Sequence, residues 1–453
     1  MGELHELTVS EAAGGIRQGE ISSVDLVEAL LGRIEKLEPA LKAWVTVDHE
    51  GALGSAQDLD GDLKQGKAPR GPLHGIPVAA KDIFYTADLK TTAGSKIYAD
   101  FVPTYDATCI ARLRDAGAVI LGKAVTTEFA TSDPSPTRNP WDPAHTPGGS
   151  SSGSAVAVAT RMCPAALGSQ TGGSTCRPAS YNGIVGLKPT YGRISRYGVI
   201  PVSWSLDTVG ILVRTVEDAA ILLGVMSGHD PKDPGSSKEP VGDYTGALGS
   251  LDGPPRIGLV RQYFLEVCDD EVRAHTEGMV QRLVQSGAEV QEVSLPDSFA
   301  TCYAAHRTIM NVECATFHEE TFSQRPDDYG PKLRSTIESG MLVPGVKYLQ
   351  AQRLRRRFHQ DMAELAGKVD VLLTPSTPTP APRDLTTTGD PMFQSPWTFA
   401  GLPTVSLPSG LSRSGLPLGI QLAGPMFGEA SLLAVARWCE ASLGVVLEPP
   451  DPS

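Results

Sequence analysis

The sequence predicts an α/β fold with a largely covered β-sheet, and two observations lead there. Short apolar runs bounded by glycine and proline, GIPVAAKD (Gly75 to Asp82) and AGAVILGKAV (Ala116 to Val125), alternate with a stretch of helical periodicity, ATCIARLRDAG, that stops at Gly117. The alternation recurs with RIGLV (Arg256 to Val260), a helix over about 269–286, and AEVQEV (Ala288 to Val293). Strands alternating with helices place helices over the sheet.

Taken in order, the first 70 residues read as a helical segment. Thr8 with Glu11 and Ser22 with Asp25 have capping-box spacing. Leu26, Leu30, Leu31, Ile34 and Leu37 then share one helix face until Pro39, so two helices are expected. A stretch rich in Gly, Pro, Asp and Ser over about 230–253 reads as a loose insert. Residues 298–324 contain neither Gly nor Pro and predict one long helix, with a second over about 347–365. DVLLTPSTPTPAP and GLPTVSLP return to strand and loop, and a last helix is expected over about 429–443.

The chain has 453 residues and a formal net charge of −13, which disfavours general affinity for nucleic acid or anionic membranes. The basic run RLRRR (Arg353 to Arg357) is expected on an exposed helix face. Seven cysteines without a short-spaced framework suit reduced thiols. The N-terminus lacks the basic and apolar regions of a leader, and no apolar stretch reaches the roughly 20 residues needed to span a bilayer. A cytoplasmic protein without a membrane partner is the expectation.

Two glycine-rich islands attract attention, PGGSSSGSAVAVA (Pro147 to Ala159) and SQTGGSTCRPAS (Ser169 to Ser180). In the second, Thr171, Gly172, Gly173 and Ser174 can aim successive N–H groups at one point, a nest suited to an oxyanion. If Ser174 is a nucleophile, it needs a base. The match of Gly149, Ser151 and Gly153 to G-x-S-x-G is set aside, because a proline-punctuated loop precedes it where a strand is required. His145 reads as a solvated loop residue. GAVILGKA (Gly117 to Ala124) lacks the Ser or Thr of a phosphate-binding loop. Cys302, His306, Cys314 and His318 lie on one helix in two pairs twelve residues apart, roughly 18 Å at the helical rise, too far to share a metal. No metal or cofactor is called for. The remaining base is Lys81, a lysine ending an apolar strand, where burial would favour the neutral amine.

These landmarks together resemble the amidase signature enzymes. The resemblance rests on GIPVAAKD, TTAGS, AGAVILGKAVTTEFA, NPWDPAHTPGGSSSGS, SQTGGSTCRP, GIVGLKPTYGRISRYGVIP, DVLLTPSTPTPAP, FAGLPTVSLP and GLPLGIQLAGP, spread over nearly the whole chain. It implies one compact α/β domain over residues 1–453, a mixed sheet core covered by helices on both sides, with a variable substrate-pocket region at about 298–365. It also implies a triad of Ser174 as nucleophile, Ser150 with a cis peptide bond before it, and Lys81 as base. The backbone N–H groups of Thr171, Gly172, Gly173 and Ser174 would form the oxyanion hole. Arg177 matches a supporting basic position, and Ser151 and Ser169 are further supporting candidates. The family commonly has Thr-Asp where Ser169 and Gln170 stand, which leaves the role of Gln170 open.

The function expected from this resemblance is hydrolysis of C–N acyl bonds in linear amides, with carbamates (a urethanase activity) and esters in range. The Ala, Met, Leu and Phe content of the variable region favours an apolar or aromatic acyl group. The expected partners are a small-molecule amide or carbamate and no nucleic acid, with the chain a monomer or homodimer. The alternative is the amidase-like glutaminase subunit of a tRNA-dependent amidotransferase. Gln170 and the short tail after Leu443 favour the free enzyme.

Overall fold

The computed structural model describes residues 3–251 and 253–451. Its N-terminal segment holds α1 (Val9–Gln18), α2 (Ser23–Leu41), β1 (Trp44–Val47) and α3 (His49–Lys64). Both capping boxes form, at Thr8 and Ser22. The expected two helices are therefore three and a strand. Helix α2 continues past Pro39 to Leu41, because a proline so near the C-terminus forfeits little of the remaining hydrogen-bond ladder.

The chain then runs through β2 (Pro77–Lys81), α4 (Thr108–Asp115), β3 (Val119–Ala124), α5 (Ser152–Ala159), β4 (Ala165–Gln170), α6 (Cys176–Asn182), β5 (Val185–Lys188) and β6 (Thr208–Val213). There follow α7 (Val216–Met226), β7 (Arg256–Leu259), α8 (Phe264–Val267), α9 (Asp270–Gln285) and β8 (Glu289–Glu292). The last part holds α10 (Cys302–Gln324), α11 (Pro331–Met341), α12 (Gly345–Ala366), β9 (Val371–Pro375), α13 (Ser395–Phe399), β10 (Thr404–Leu411), β11 (Pro417–Ala423) and α14 (Glu429–Leu443). The uninterrupted 298–324 stretch splits into a 3-10 turn, Asp297–Thr301, and α10. The sequence reading passed over α11, whose start is marked by Pro331 at its first position.

All eleven strands join one mixed sheet in the order β1-β3-β2-β4-β6-β5-β10-β11-β9-β7-β8. Strand β2 lies parallel to both β3 and β4, while β4 and β6 are antiparallel. Every residue of β2 through β6, and of β9 and β11, is buried. Because side chains alternate between faces, full burial means that helices cover both sides of the sheet.

The stretch expected to be loose, 230–253, is pinned. Asp230 accepts hydrogen bonds from Ser195 and Thr108 at 2.6 Å each, and Asp233 pairs with Arg196 at 2.9 Å. The basic run on α12 is also not all surface: Arg355 is buried and donates to the carbonyls of Ser205 and Phe399. All seven cysteines are buried and unpaired. Among the described residues, no helix is long and apolar enough to cross a membrane.

Candidate active site

Two paired strands, β2 and β4, and one loop build the site. Strand β2 ends with Lys81, which register sets beside Ala124 of β3. Strand β4 ends with Ser169 and Gln170 and leads through the turn Thr171 to Ser174 into α6. The loop before α5 supplies Ser150, and the Gly149–Ser150 peptide bond is cis.

Lys81 is fully buried, and its Nζ lies 2.7 Å from Ser150 Oγ and 2.7 Å from Ser169 Oγ. Burial drives its pKa well below the ordinary lysine value, and the nearby carboxylate of Asp207 opposes the shift. An amine so placed can be neutral and act as a base. Ser169 therefore touches the lysine directly, a closer part than that of a retained hydroxyl.

Ser174 is half-buried on the wall of a cavity, with Arg177 beside it. Its Oγ and the backbone N–H groups of Thr171, Gly172, Gly173 and Ser174 form no hydrogen bond among the described residues. Four consecutive free amides beside a serine hydroxyl can receive a developing oxyanion. A Cβ at Gly173 would meet Gln394 Oε1 at 2.5 Å, so any side chain there has to displace Gln394.

The supporting positions sort by what they touch. Ser151 Oγ accepts from the Ser169 N–H at 3.2 Å and ties the Ser150 loop to β4. Arg177 is buried and donates to the Gly149 carbonyl at 2.6 Å and to Thr388 Oγ1 at 3.1 Å. Gln170 Oε1 accepts from the N–H groups of Thr175 and Cys176 at 3.0 Å each. Its Nε2 donates to Thr398 Oγ1 at 3.0 Å, and that hydroxyl donates to the Gly172 carbonyl at 2.9 Å. The amide at position 170 thus accepts on one end and donates on the other, which a carboxylate cannot do.

Sequence reasoning missed three groups. Asp207, just before β6, accepts a hydrogen bond from Thr171 Oγ1 at 2.5 Å. His306 Nε2 donates to the Thr171 carbonyl at 2.8 Å, and burial lowers its pKa to about 4, so the ring is neutral. In the sequence it was weighed only as a metal ligand and set aside, and His318 on the same helix packs edge-on against Phe129. The third group is the pocket wall. Helix α10 presents Tyr303, Arg307 and Asn311 at four-residue spacing, and α11 presents Lys332, Ser335 and Ser339. No signal near the nucleophile marks these two polar stripes in the sequence. His145 also differs from expectation, being half-buried and 3.1 Å from Asp142.

The cavity measures about 290 Å³. Arg177, Arg307 and Lys332 line it, and none of its described lining residues is Asp or Glu. This corrects the expectation of an apolar or aromatic acyl pocket. The composition of the 298–365 region reflected residues that α10 and α12 turn toward the core, such as Ile309 and Phe358, while the pocket receives mainly polar side chains of α10 and α11.

Fold and site together define an enzyme of the C–N hydrolase class. The chain belongs to the amidase family, whose model matches residues 25–433. It is similar to a glutamyl-tRNA(Gln) amidotransferase subunit of Geobacter sp. (strain M21), with 41% identity and 96% of each chain covered. Among solved structures it resembles the native peptide amidase of Stenotrophomonas maltophilia, with a TM-score of 0.87, 32% identity, and 99% of each chain covered. It also resembles a chain of a vestigial protein complex that reveals the origins of an s-triazine catabolic enzyme, with a TM-score of 0.91, 32% identity, and coverage of 98% of this chain and 100% of that one. The Geobacter relative is by name one component of an amidotransferase acting on a tRNA-linked substrate. This overturns the expectation of a self-contained monomer or homodimer with only a small-molecule partner and no nucleic acid in its chemistry. Net charge misled there, because one component of an assembly can serve a nucleic-acid reaction without touching the nucleic acid itself.

Proposed function

We propose that the chain is the glutamine-hydrolysing subunit of an amidotransferase, releasing ammonia from a side-chain amide through an acyl-enzyme on Ser174. Neutral Lys81 accepts a proton from Ser150 as Ser150 accepts that of Ser174, and Ser174 Oγ attacks the amide carbonyl. The oxyanion is received by the amides of Thr171 to Ser174. Collapse breaks the C–N bond, the relayed proton passes to nitrogen, and ammonia leaves. Water then attacks the acyl-enzyme by the same relay in reverse, giving the free carboxylic acid and Ser174.

The observation that carries the choice of substrate is the cavity lined by three cations and no carboxylate, of a size for an amino acid. Arg307 is exposed on the pocket side of α10 and has no carboxylate partner among the described residues, so it is available to an α-carboxylate. Asp390, exposed between the lining residues Gly389 and Pro391, offers a counter-charge at the rim for an α-ammonium group. The relatives that share the chain's full length and bear an amidotransferase name support the same reading. The test compares ammonia release from glutamine with that from butyramide, which carries the same primary amide without the α-substituents. A kcat/KM at least about 100-fold higher for glutamine is expected from one or two charge-assisted contacts. Equal turnover of the two amides would refute the assignment.

A further inference from the structure

Thr171 and Asp207 face each other at the open end of the β4–β6 ladder. The last ladder pairs are Ser169 with Val209 and Gln170 with Thr208, so Thr171 and Asp207 stand one step further along the same register. The contact between them is short, 2.5 Å from Thr171 Oγ1 to Asp207 Oδ1. The second carboxylate oxygen accepts from the N–H groups of Val202 and Ser203, at 2.8 Å and 3.0 Å. Thr171 is thus gripped twice, by Asp207 at its hydroxyl and by His306 at its carbonyl, and the turn that follows carries Ser174. Asp207 also lies with Ser169 around one small buried void, and Ser169 Oγ touches Lys81.

We propose that Asp207 is a positioning residue of the reaction: it holds the oxyanion-binding turn through Thr171, and its negative charge governs the charge state of Lys81. The inference rests on the reading of Lys81 as base and Ser174 as nucleophile. Among the described residues Asp207 is the carboxylate that opposes the effect of burial on Lys81, whereas Asp82, next in sequence, lies 3.7 Å from Lys123 and accepts from Thr92. The other charged or titratable groups around Asp207 are Arg196 from the loop before it and Cys314 from α10. An ionised carboxylate favours the ammonium form of Lys81, so Asp207 raises the pH at which the base becomes neutral. Lys81 loses its proton only at a pH that this charge sets.

Substitution separates the two roles. Asn at 207 removes the charge and can keep each contact, with Oδ1 accepting from the two backbone N–H groups and the bond to Thr171 reversed, Nδ2 donating to Thr171 Oγ1. Val at 171 removes the hydroxyl and leaves the charge.

The readout is the rate of sulfonylation of Ser174 by phenylmethanesulfonyl fluoride, followed by mass spectrometry across pH, because it needs no assumed substrate. For the wild type this rate rises with pH as Lys81 becomes neutral. In Asp207→Asn the rise is expected to move to lower pH by about one unit. In Thr171→Val the rise stays in place while the plateau falls about tenfold, and Thr171→Ser restores the plateau. A uniform loss in Asp207→Asn with the rise unmoved would overturn the proposal, as would an unaltered plateau in Thr171→Val. An adduct that persists in Ser174→Ala would instead sink the underlying assignment of the nucleophile, a separate failure.

Discussion

Gln170 makes a sharp test of how the nucleophile turn is held. Its Oε1 accepts two backbone N–H groups at the start of α6, and its Nε2 reaches Thr398, whose hydroxyl secures Gly172. Residue 170 is fully buried, so no water replaces a lost partner without opening the fold. Gln170→Ala leaves the N–H groups of Thr175 and Cys176 without an acceptor, at about 1–3 kcal/mol each, so a loss of about 3 kcal/mol is expected. Gln170→Glu keeps both acceptors but brings a carboxylate oxygen against Thr398 Oγ1, whose proton is already given to Gly172. It should cost about half as much. Urea denaturation of the three proteins measures both differences, with m-values checked for constancy. A change below about 0.5 kcal/mol in Gln170→Ala would show that the capping argument is wrong. Turnover should fall further in Ala than in Glu, because only Ala loses the acceptor that holds the N–H groups of Thr175 and Cys176 directly after the nucleophile.

The remaining predictions concern the chemistry. Ser174→Ala should abolish both amide hydrolysis and the phenylmethanesulfonyl adduct, and Lys81→Met should lower turnover by a factor on the order of 10³ or more while leaving the fold intact, as judged by circular dichroism. Arg307→Ala should raise KM for glutamine about 10- to 100-fold with a smaller effect on kcat, the loss of one charge-assisted contact; an unchanged KM would remove Arg307 from the binding role. Because the folded pKa of Lys81 is lowered, the neutral base is present above that value and is lost as pH falls through it. Activity should therefore rise with pH well before 10.5, the ordinary value for lysine, and a rise only near that value would contradict a buried base.

Much of the site was legible because its chemistry is local. Ser174 follows two glycines in one turn, Ser150 sits in a second glycine-rich loop, and Lys81 ends a strand whose apolar run announces its burial. The final helix and strands β7 and β9 were likewise marked by periodicity and by the glycines and prolines around them. Asp207 and His306 were not legible, since each acts on Thr171 from 36 and 135 residues away, and nothing beside either residue reports that contact. The pocket failed for a related reason. A mean composition over 298–365 cannot say which face of a helix looks at the core and which looks at the nucleophile.

The sequence by itself determined the alternation of strands and helices, the burial of Lys81 and the presence of two glycine-rich turns, because backbone permissiveness and hydrophobic period act over a few residues. Tertiary structure alone decided that Lys81 lies between two hydroxyls, that Gln170 accepts and donates at once, and that the cavity is cationic. Those facts depend on which distant segments the eleven-stranded sheet brings to the same end of neighbouring strands, and strand order is a property of the whole chain.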